Sequence, residues 1–320
     1  MNSISNSSNT HFKVVGVGRV GCQMVSHLAA REIPSPCAIE YIAMDTDAQD
    51  LATADVPRRI QLGPRLLHGL GSGNDTDVGR RAAEESRGVI RQNIIGSEIL
   101  FILAAVGGGT GAGAAPVIAE MAHSTGALTI GMVTSPFAFE GAYRAETAHH
   151  GVVALLRSVD SLIVMPQDLN APSSGNRSDA NSIFQTTINL MAKGVGMIAE
   201  SISLPGSSNI DVADVRSVLK DSGLAEMAFG SASGEDRAAQ AAYAALANLS
   251  SDATGKKAHA VWFNVKGSST LELVEVNSDA EIIKQEINPD ANVIFGVNFD
   301  DKMGEEINIA LMLTKFSDPV

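Results

Sequence analysis

Cysteine is almost missing from this sequence. Cys22 and Cys37 are the only two, too few and wrongly spaced for a disulfide framework or a cysteine zinc site, and their scarcity suits a reducing cytoplasm. Basic residues are short as well: 23 Lys and Arg stand against 36 Asp and Glu, a net charge of -13. Such a field repels phosphate backbones and anionic headgroups, which argues against nucleic acid and direct membrane attachment. No uninterrupted apolar stretch approaches the roughly 20 residues a membrane helix requires. The opening residues, MNSISNSSNT, have neither the basic start nor the apolar core of a secretory signal and read as a disordered tail over 1–11. No internal repeat is visible. The seven histidines, His149 and His150 among them, have no spacing of metal ligands or of a catalytic triad, so no side-chain metal site is assigned.

What is present is the material of an ordinary globular chain, 45% hydrophobic and 18% charged over 320 residues, enough for about two domains. Phe12 to Val15, Tyr41 to Met44, Ile99 to Val106, Leu128 to Val133 and Ser161 to Met165 are short β-prone runs, and helical stretches alternate with them. That order predicts a parallel, doubly wound α/β sheet. A polar loop over 170–176 then precedes a long helix. Phe184, Ile188, Met191, Val195, Ile198 and Ile202 recur at three- and four-residue steps along it, one apolar stripe ending at Leu204-Pro205-Gly206. Gly194 and Gly196 within the stripe mark positions of close backbone packing. Helices at 213–220 and 235–248, with strands at 260–265, 292–297 and 308–314, predict a second α/β domain.

Two glycine clusters carry the chemistry. Gly16-Val17-Gly18-Arg19-Val20-Gly21 follows the first strand, and Asp45 closes the next, the pattern of a dinucleotide-binding turn with its ribose acid or of a plain tight turn. The second cluster, Gly107-Gly108-Gly109-Thr110-Gly111-Ala112-Gly113, lies between a buried strand and a helix opening at Ala115-Pro116. Its amides and the helix dipole converge on one anion, and Thr110 adds a hydroxyl. A nicotinamide-dependent oxidoreductase has no use for two such loops on neighbouring strands.

The spelling of this second cluster resembles the signature of the tubulin and FtsZ family. The stretches YIAMDTDAQDL, GLGSGNDTDVGRRAAEE, VTSPFAFEG, VDSLIVMPQD, NIDVADVRSVL and SASGEDRAAQAA continue the resemblance, toward the FtsZ type of bacterial cell-division GTPase, from Phe12 to Phe316. The resemblance implies a tubulin/FtsZ-like fold: a parallel-sheet GTPase domain over 12–178, a central helix over 179–205, a smaller α/β C-terminal domain over 206–316 and a short end over 317–320 without the family's tail peptide. It implies GTP and GDP with Mg2+ as ligands. It also implies head-to-tail filaments of the chain itself in which each subunit completes its neighbour's active site, and a second FtsZ as a further partner.

Residue by residue, the resemblance places Gly107, Gly108, Gly109, Thr110, Gly111, Ala112 and Gly113 on the α- and β-phosphates, with Gly71, Ser72 and Gly73 facing the γ-phosphate. Gly18, Arg19, Gly21, Cys22, Gln23 and Asp47 complete the nucleotide loops. Glu140 and Arg144 match ribose and base-side contacts, although alone they read as a helix-start ion pair. Phe184 matches the base-stacking aromatic and, alone, a core residue of its stripe. Ile188 and Asn189 stand where the family reads the base with Asn and Asp. Asn209, Asp211 and Asp214 match the catalytic loop inserted into the neighbouring subunit; alone they read as helix capping, and the two roles are compatible. The first loop departs from the family's glycine run at Arg19, Val20, Cys22 and Gln23. Asp75 would repel a γ-phosphate unless Mg2+ lies between them. These departures and the absent tail motivate an alternative, a non-hydrolysing paralogue that co-assembles with or caps FtsZ filaments.

Overall fold

The computed structural model describes residues 11–31, 33, 38–165, 180–203, 210–249 and 258–316. Cys37, the polar loop at 170–176, Asn209, the boundaries expected near 178 and 205, and the end over 317–320 lie outside them.

Within the described residues the strands are β1 (Phe12–Val17), β2 (Ile39–Asp45), β3 (Arg58–Gln61), β4 (Ile99–Ala105), β5 (Leu128–Thr134), β6 (Ser161–Met165), β7 (Gly223–Ser233), β8 (Ala258–Gly267), β9 (Asn292–Phe299) and β10 (Glu306–Phe316). The helices are α1 (Gly18–Ala29), α2 (Ala48–Thr53), α3 (Pro64–Leu67), α4 (Thr76–Glu85), α5 (Arg87–Ile94), α6 (Gly109–Ser124), α7 (Ala142–Leu156), α8 (Ala180–Ser203), α9 (Val212–Leu219), α10 (Arg237–Ala247) and α11 (Leu273–Ile287).

The strands form one sheet in the order β3-β2-β1-β4-β5-β6-β7-β10-β8-β9. β3 through β7 in that order run parallel, which requires crossover helices on the faces. β4 and β5 are accordingly buried almost throughout. The two expected α/β regions therefore share a sheet, joined where Ser161 to Ile163 of β6 pair with Gly223 to Ala225 of β7. β10 runs antiparallel to both β7 and β8 and belongs to the second region.

Two apolar layers flank the parallel part. One joins Met24, Val25 and Leu28 of α1 to Ile188, Met191, Val195 and Ile198 of α8, and extends through Trp262 and Met312 into the second region. The other packs α4, α5, α6 and α7 against the opposite face through residues such as Ala82, Ile90, Ile118 and Leu155. A third cluster lies between the C-terminal strands, α10 and α11. α8 is thus a core element shared by both regions, as its apolar stripe requires. The expectation for its glycines holds in part. A Cβ on Gly194 would stand 2.3 Å from Met227 Cε, a side chain and not a backbone, whereas Gly196 has nothing nearer than 3.8 Å.

One boundary moves substantially. α6 opens at Gly109, not at Ala115, and contains Pro116. Thr110 to Gly113 are helical because α4 lies against them: a Cβ on Gly79 would meet Gly109 O at 2.2 Å, and one on Gly113 would meet Thr76 O at 2.1 Å. Glycine there permits two helices to touch backbone to backbone.

Candidate functional site

The carboxyl ends of β1, β2, β4 and β5 open into a cleft of about 570 Å3. This is the edge of a parallel α/β sheet where ligands bind, because loops from neighbouring strands diverge there and helix N-termini point inward. Three backbone turns meet at its floor. Gly18 turns from β1 into α1 with φ +75°, and a Cβ at that position would lie 3.2 Å from Gly111 N. The turn at 71–75 lies on α6, where a Cβ on Gly109 would be 2.6 Å from both Ser72 Oγ and Asp75 N. The first turn of α6, whose N–H groups have no partner within the helix, completes the floor.

Hydroxyls bridge these turns. Thr46 Oγ1 and Thr110 Oγ1 are 2.7 Å apart, and Ser72 Oγ is 3.1 Å from Thr110 Oγ1. All three side chains are buried. At the mouth, Arg19 donates from Nε to Asp50 Oδ2 at 2.7 Å. That bond, more than the Coulombic pull of Asp50, raises the guanidinium further above its ordinary value. The side chain is thereby committed to the rim and not extended over the floor. Below, burial pushes the Asp45 carboxyl up to about 6, against the backbone N–H groups of Asp47 and Thr46 that lower it. On the far wall, Glu140 Oε1 accepts from Phe137 N at 2.8 Å, and Arg144 donates to Glu140 Oε2. The expected pair exists and stands at the cleft.

Of the residues expected at the site, Gly18, Arg19, Asp47, Gly71, Ser72, Gly73, Gly107, Gly108, Gly109, Thr110, Gly111, Glu140, Arg144 and Phe184 line this one cleft. Others stand elsewhere. Gly21 packs beneath β4, where a Cβ would approach Leu103 O at 2.5 Å. Cys22 is buried with its sulfur toward Gly16 O and Met44 O, and burial pushes its thiol up. Gln23 is exposed on α1, while Ala112 and Gly113 are buried in α6. Ile188 is fully buried in the core. Asn189 lines a second cavity, of about 550 Å3, with Lys193, Asn264 and Asn308; its Oδ1 is buried without a hydrogen-bond partner. Five residues along a helix turn it by about 140°, so Phe184 and Asn189 occupy different faces of α8.

Asp211 and Asp214 form a reciprocal cap at the start of α9. Asp214 N donates to Asp211 Oδ1 at 2.8 Å, and Asp211 N donates to Asp214 Oδ2 at 3.0 Å. In the same helix Arg216 reaches Glu98 O and Gly126 O, at the amino ends of β4 and β5. The cap therefore stands at the end of the sheet opposite the cleft, roughly 20 Å away for strands of this length.

Sequence reading did not find Asp45, Thr46, Thr110 and Ser72 as one linked group, since the chain separates them and only the meeting of the β2 end, the 71–75 turn and α6 joins them. It also did not find His123, Asp160 and Asp221, whose potential ligand atoms lie within 4.8 Å of one another at the base of the sheet. No helix among the described residues is long and apolar enough to cross a membrane.

The comparisons with known proteins agree with this geometry. Residues 11–169 match the GTPase domain of the Tubulin/FtsZ family, and residues 223–317 match the C-terminal domain of the FtsZ family. The FtsZ of M. jannaschii, solved as an empty dimer, superposes with a TM-score of 0.86 at 31% identity over 95% of this chain and 88% of its own. CetZ2 from Haloferax volcanii, solved as a GTPγS-bound protofilament, shares the fold with a TM-score of 0.81 at 21% identity over 96% and 93%. Two domain matches in order, a relative of this similarity over nearly the whole chain, and loops converging at the carboxyl ends of the strands place this chain in the Tubulin/FtsZ family.

Proposed function

We propose that the chain binds GTP and GDP with Mg2+ in the cleft, assembles head to tail into filaments, and hydrolyses GTP where one subunit meets the next. The observation that carries this reading is the separation of its two polar centres. The glycine-rich floor is at the carboxyl ends of β4 and β5, and the Asp211/Asp214 cap is at their amino ends. One molecule cannot bring the two together. A second copy stacked along the sheet axis can.

The floor supplies what a polyphosphate needs: N–H groups of a helix start, a Gly18 turn that leaves room for close approach, and the Thr110 and Ser72 hydroxyls. Phe184, partly buried on α8 and lining the cleft, would stack on the base, with Glu140 and Arg144 at the sugar side. The side-chain donors at the Ser72 end are oxygens, with the Cys22 sulfur turned into the core, a set that suits a hard cation. Ser72 Oγ would hold Mg2+ there together with the phosphates. Mg2+ supplies charge neutralisation on the transferring phosphoryl group. For hydrolysis, Asp211 and Asp214 each commit one oxygen to the cap, which leaves Asp211 Oδ2 and Asp214 Oδ1 outside it to orient water in a neighbour's cleft. Asn209 precedes this cap and belongs to the same proposed loop.

Nucleotide released from the purified, denatured protein, followed by phosphate release on adding GTP, tests the reading. Guanine nucleotide with turnover is expected. Bound guanine nucleotide without turnover would replace it by a co-assembling, non-hydrolysing paralogue. An absence of guanine nucleotide binding would overturn both.

A further inference from the structure

Asp45 is a buried acid at the end of β2, beneath the cleft, and the proposed chemistry makes no use of it. It is 2% exposed. Its Oδ1 accepts the N–H of Thr46 at 2.7 Å and that of Asp47 at 3.3 Å, while Oδ2 is buried without a hydrogen-bond partner. A carboxylate with one bare, desolvated oxygen is costly, and the same oxygen carrying a proton is not. The groups facing it do not relieve that cost. Asp47 and Asp50, from the following turn and α2, have its own sign. Cys22 of α1 is a neutral thiol. Arg19, the cation of α1 that senses Asp45, is hydrogen-bonded to Asp50.

The same side chain orders the floor. By holding Thr46 N it fixes the residue whose hydroxyl meets Thr110, which in turn meets Ser72. A phosphate seated on Gly18 and Thr110 would bring further negative charge above an acid that is already hard to ionise.

We infer that Asp45 is a proton-carrying positioning residue of this site, ionised for the most part in the free protein near neutral pH and a neutral carboxylic acid in the nucleotide complex. The inference rests on the reading that the cleft takes a nucleotide, and it adds that binding consumes a proton. The sign follows from linkage. Burial pushes the free protein's carboxyl up to about 6, and added negative charge moves it further upward, so the complex binds more protons than the free protein between the two values. Affinity then falls as pH rises above about 6, by at most tenfold per pH unit, and the dependence vanishes well below that pH, where both forms are protonated.

Calorimetric titration of the full chain with GDP in EDTA, at pH 7 in two buffers of different ionisation enthalpy, measures the protons taken up. Running the same pair on Asp45→Asn, which keeps the Oδ1 acceptor, subtracts the titration of GDP itself. Roughly 0.5 to 0.9 proton more is expected for the unmodified protein, with a shallower pH profile of affinity between 6 and 8 in the variant. Infrared difference spectra of the unmodified protein on adding GDP should show a protonated carboxyl appearing, a readout that does not depend on the variant's folding. Tight GDP binding with equal proton uptake in both proteins, or no new carboxyl band, would overturn the inference while leaving the nucleotide reading in place. Failure of the unmodified protein to bind GDP at any pH would overturn the nucleotide reading, and the inference with it.

Discussion

The two ends of the cleft are built from different materials. At the end proposed to take the phosphates the surface is backbone: the Gly18 turn, the 71–75 turn and the first turn of α6 meet there, and a Cβ would clash at Gly109 with the 71–75 turn and at Gly111 with Ala105 O. At the end proposed to take the base the surface is side chain: Phe184 projects from α8, and Glu140 and Arg144 project from the segment after β5. A backbone surface is specified by where glycine stands, so it can be read from spacing. A side-chain surface on a helix is specified by the helix's rotation, and α8 is rotated by its packing. Ile188 is drawn into the core and Asn189 toward the second cavity, while Phe184 alone of the three lines the cleft.

The largest effect is expected at Gly111, where a Cβ would meet Ala105 O at 2.1 Å. The Ala105 backbone cannot yield, so Gly111→Ala should cost about 3 kcal/mol or more, a fall in melting temperature of about 4–5 °C or more for 320 residues, with loss of nucleotide binding. An unchanged melting temperature would show that the floor is not close-packed. Next in size, Asp214→Ala should slow GTP turnover roughly 100-fold and leave GDP affinity alone, which separates hydrolysis from both ends of the cleft. Turnover at the unmodified rate would reduce Asp214 to its cap, whose loss costs about 1 kcal/mol. Phe184→Ala should weaken GDP by roughly 5- to 150-fold, the value of one base–aromatic stack, and lower the melting temperature modestly because the ring also packs against the core. Fluorescence titration of a GDP analogue reads this directly. The smallest effect is expected from Asn189→Asp, less than about twofold on GDP affinity, because that side chain faces the other cavity. A tenfold tightening selective for guanine would show that α8 turns this face to the base and that donor–acceptor matching decides there.

The same division explains how much of the fold was legible in the sequence. β4 and β5 were evident because apolar residues fill both faces of buried parallel strands. β7, by contrast, is GLAEMAFGSAS, an Ala, Gly and Ser segment with no strand signal of its own, and it is extended because β6 and β10 pair with it. α11 escaped because its inward positions are Val276, Asp279 and Ile283 while Leu273 and Val274 face outward. An acid in the middle of the buried stripe hides the period. The start of α6 was misplaced since a glycine run ordinarily signals a loop, and its helical state depends on α4 lying against it. Gly21 and Cys22, nucleotide contacts by the family resemblance, lie past the part of the first loop that lines the cleft, Val17 to Val20.

The proposed hydrolysis requires two copies, since the cleft and the Asp211/Asp214 cap stand at opposite ends of one sheet. Phosphate release per subunit, measured with saturating GTP and Mg2+ across a hundredfold range of protein concentration and paired with sedimentation of the same samples, tests it most directly. Release per subunit is expected to rise with concentration in step with the sedimented fraction. Constant release per subunit from dilute monomer to concentrated protein would contradict it.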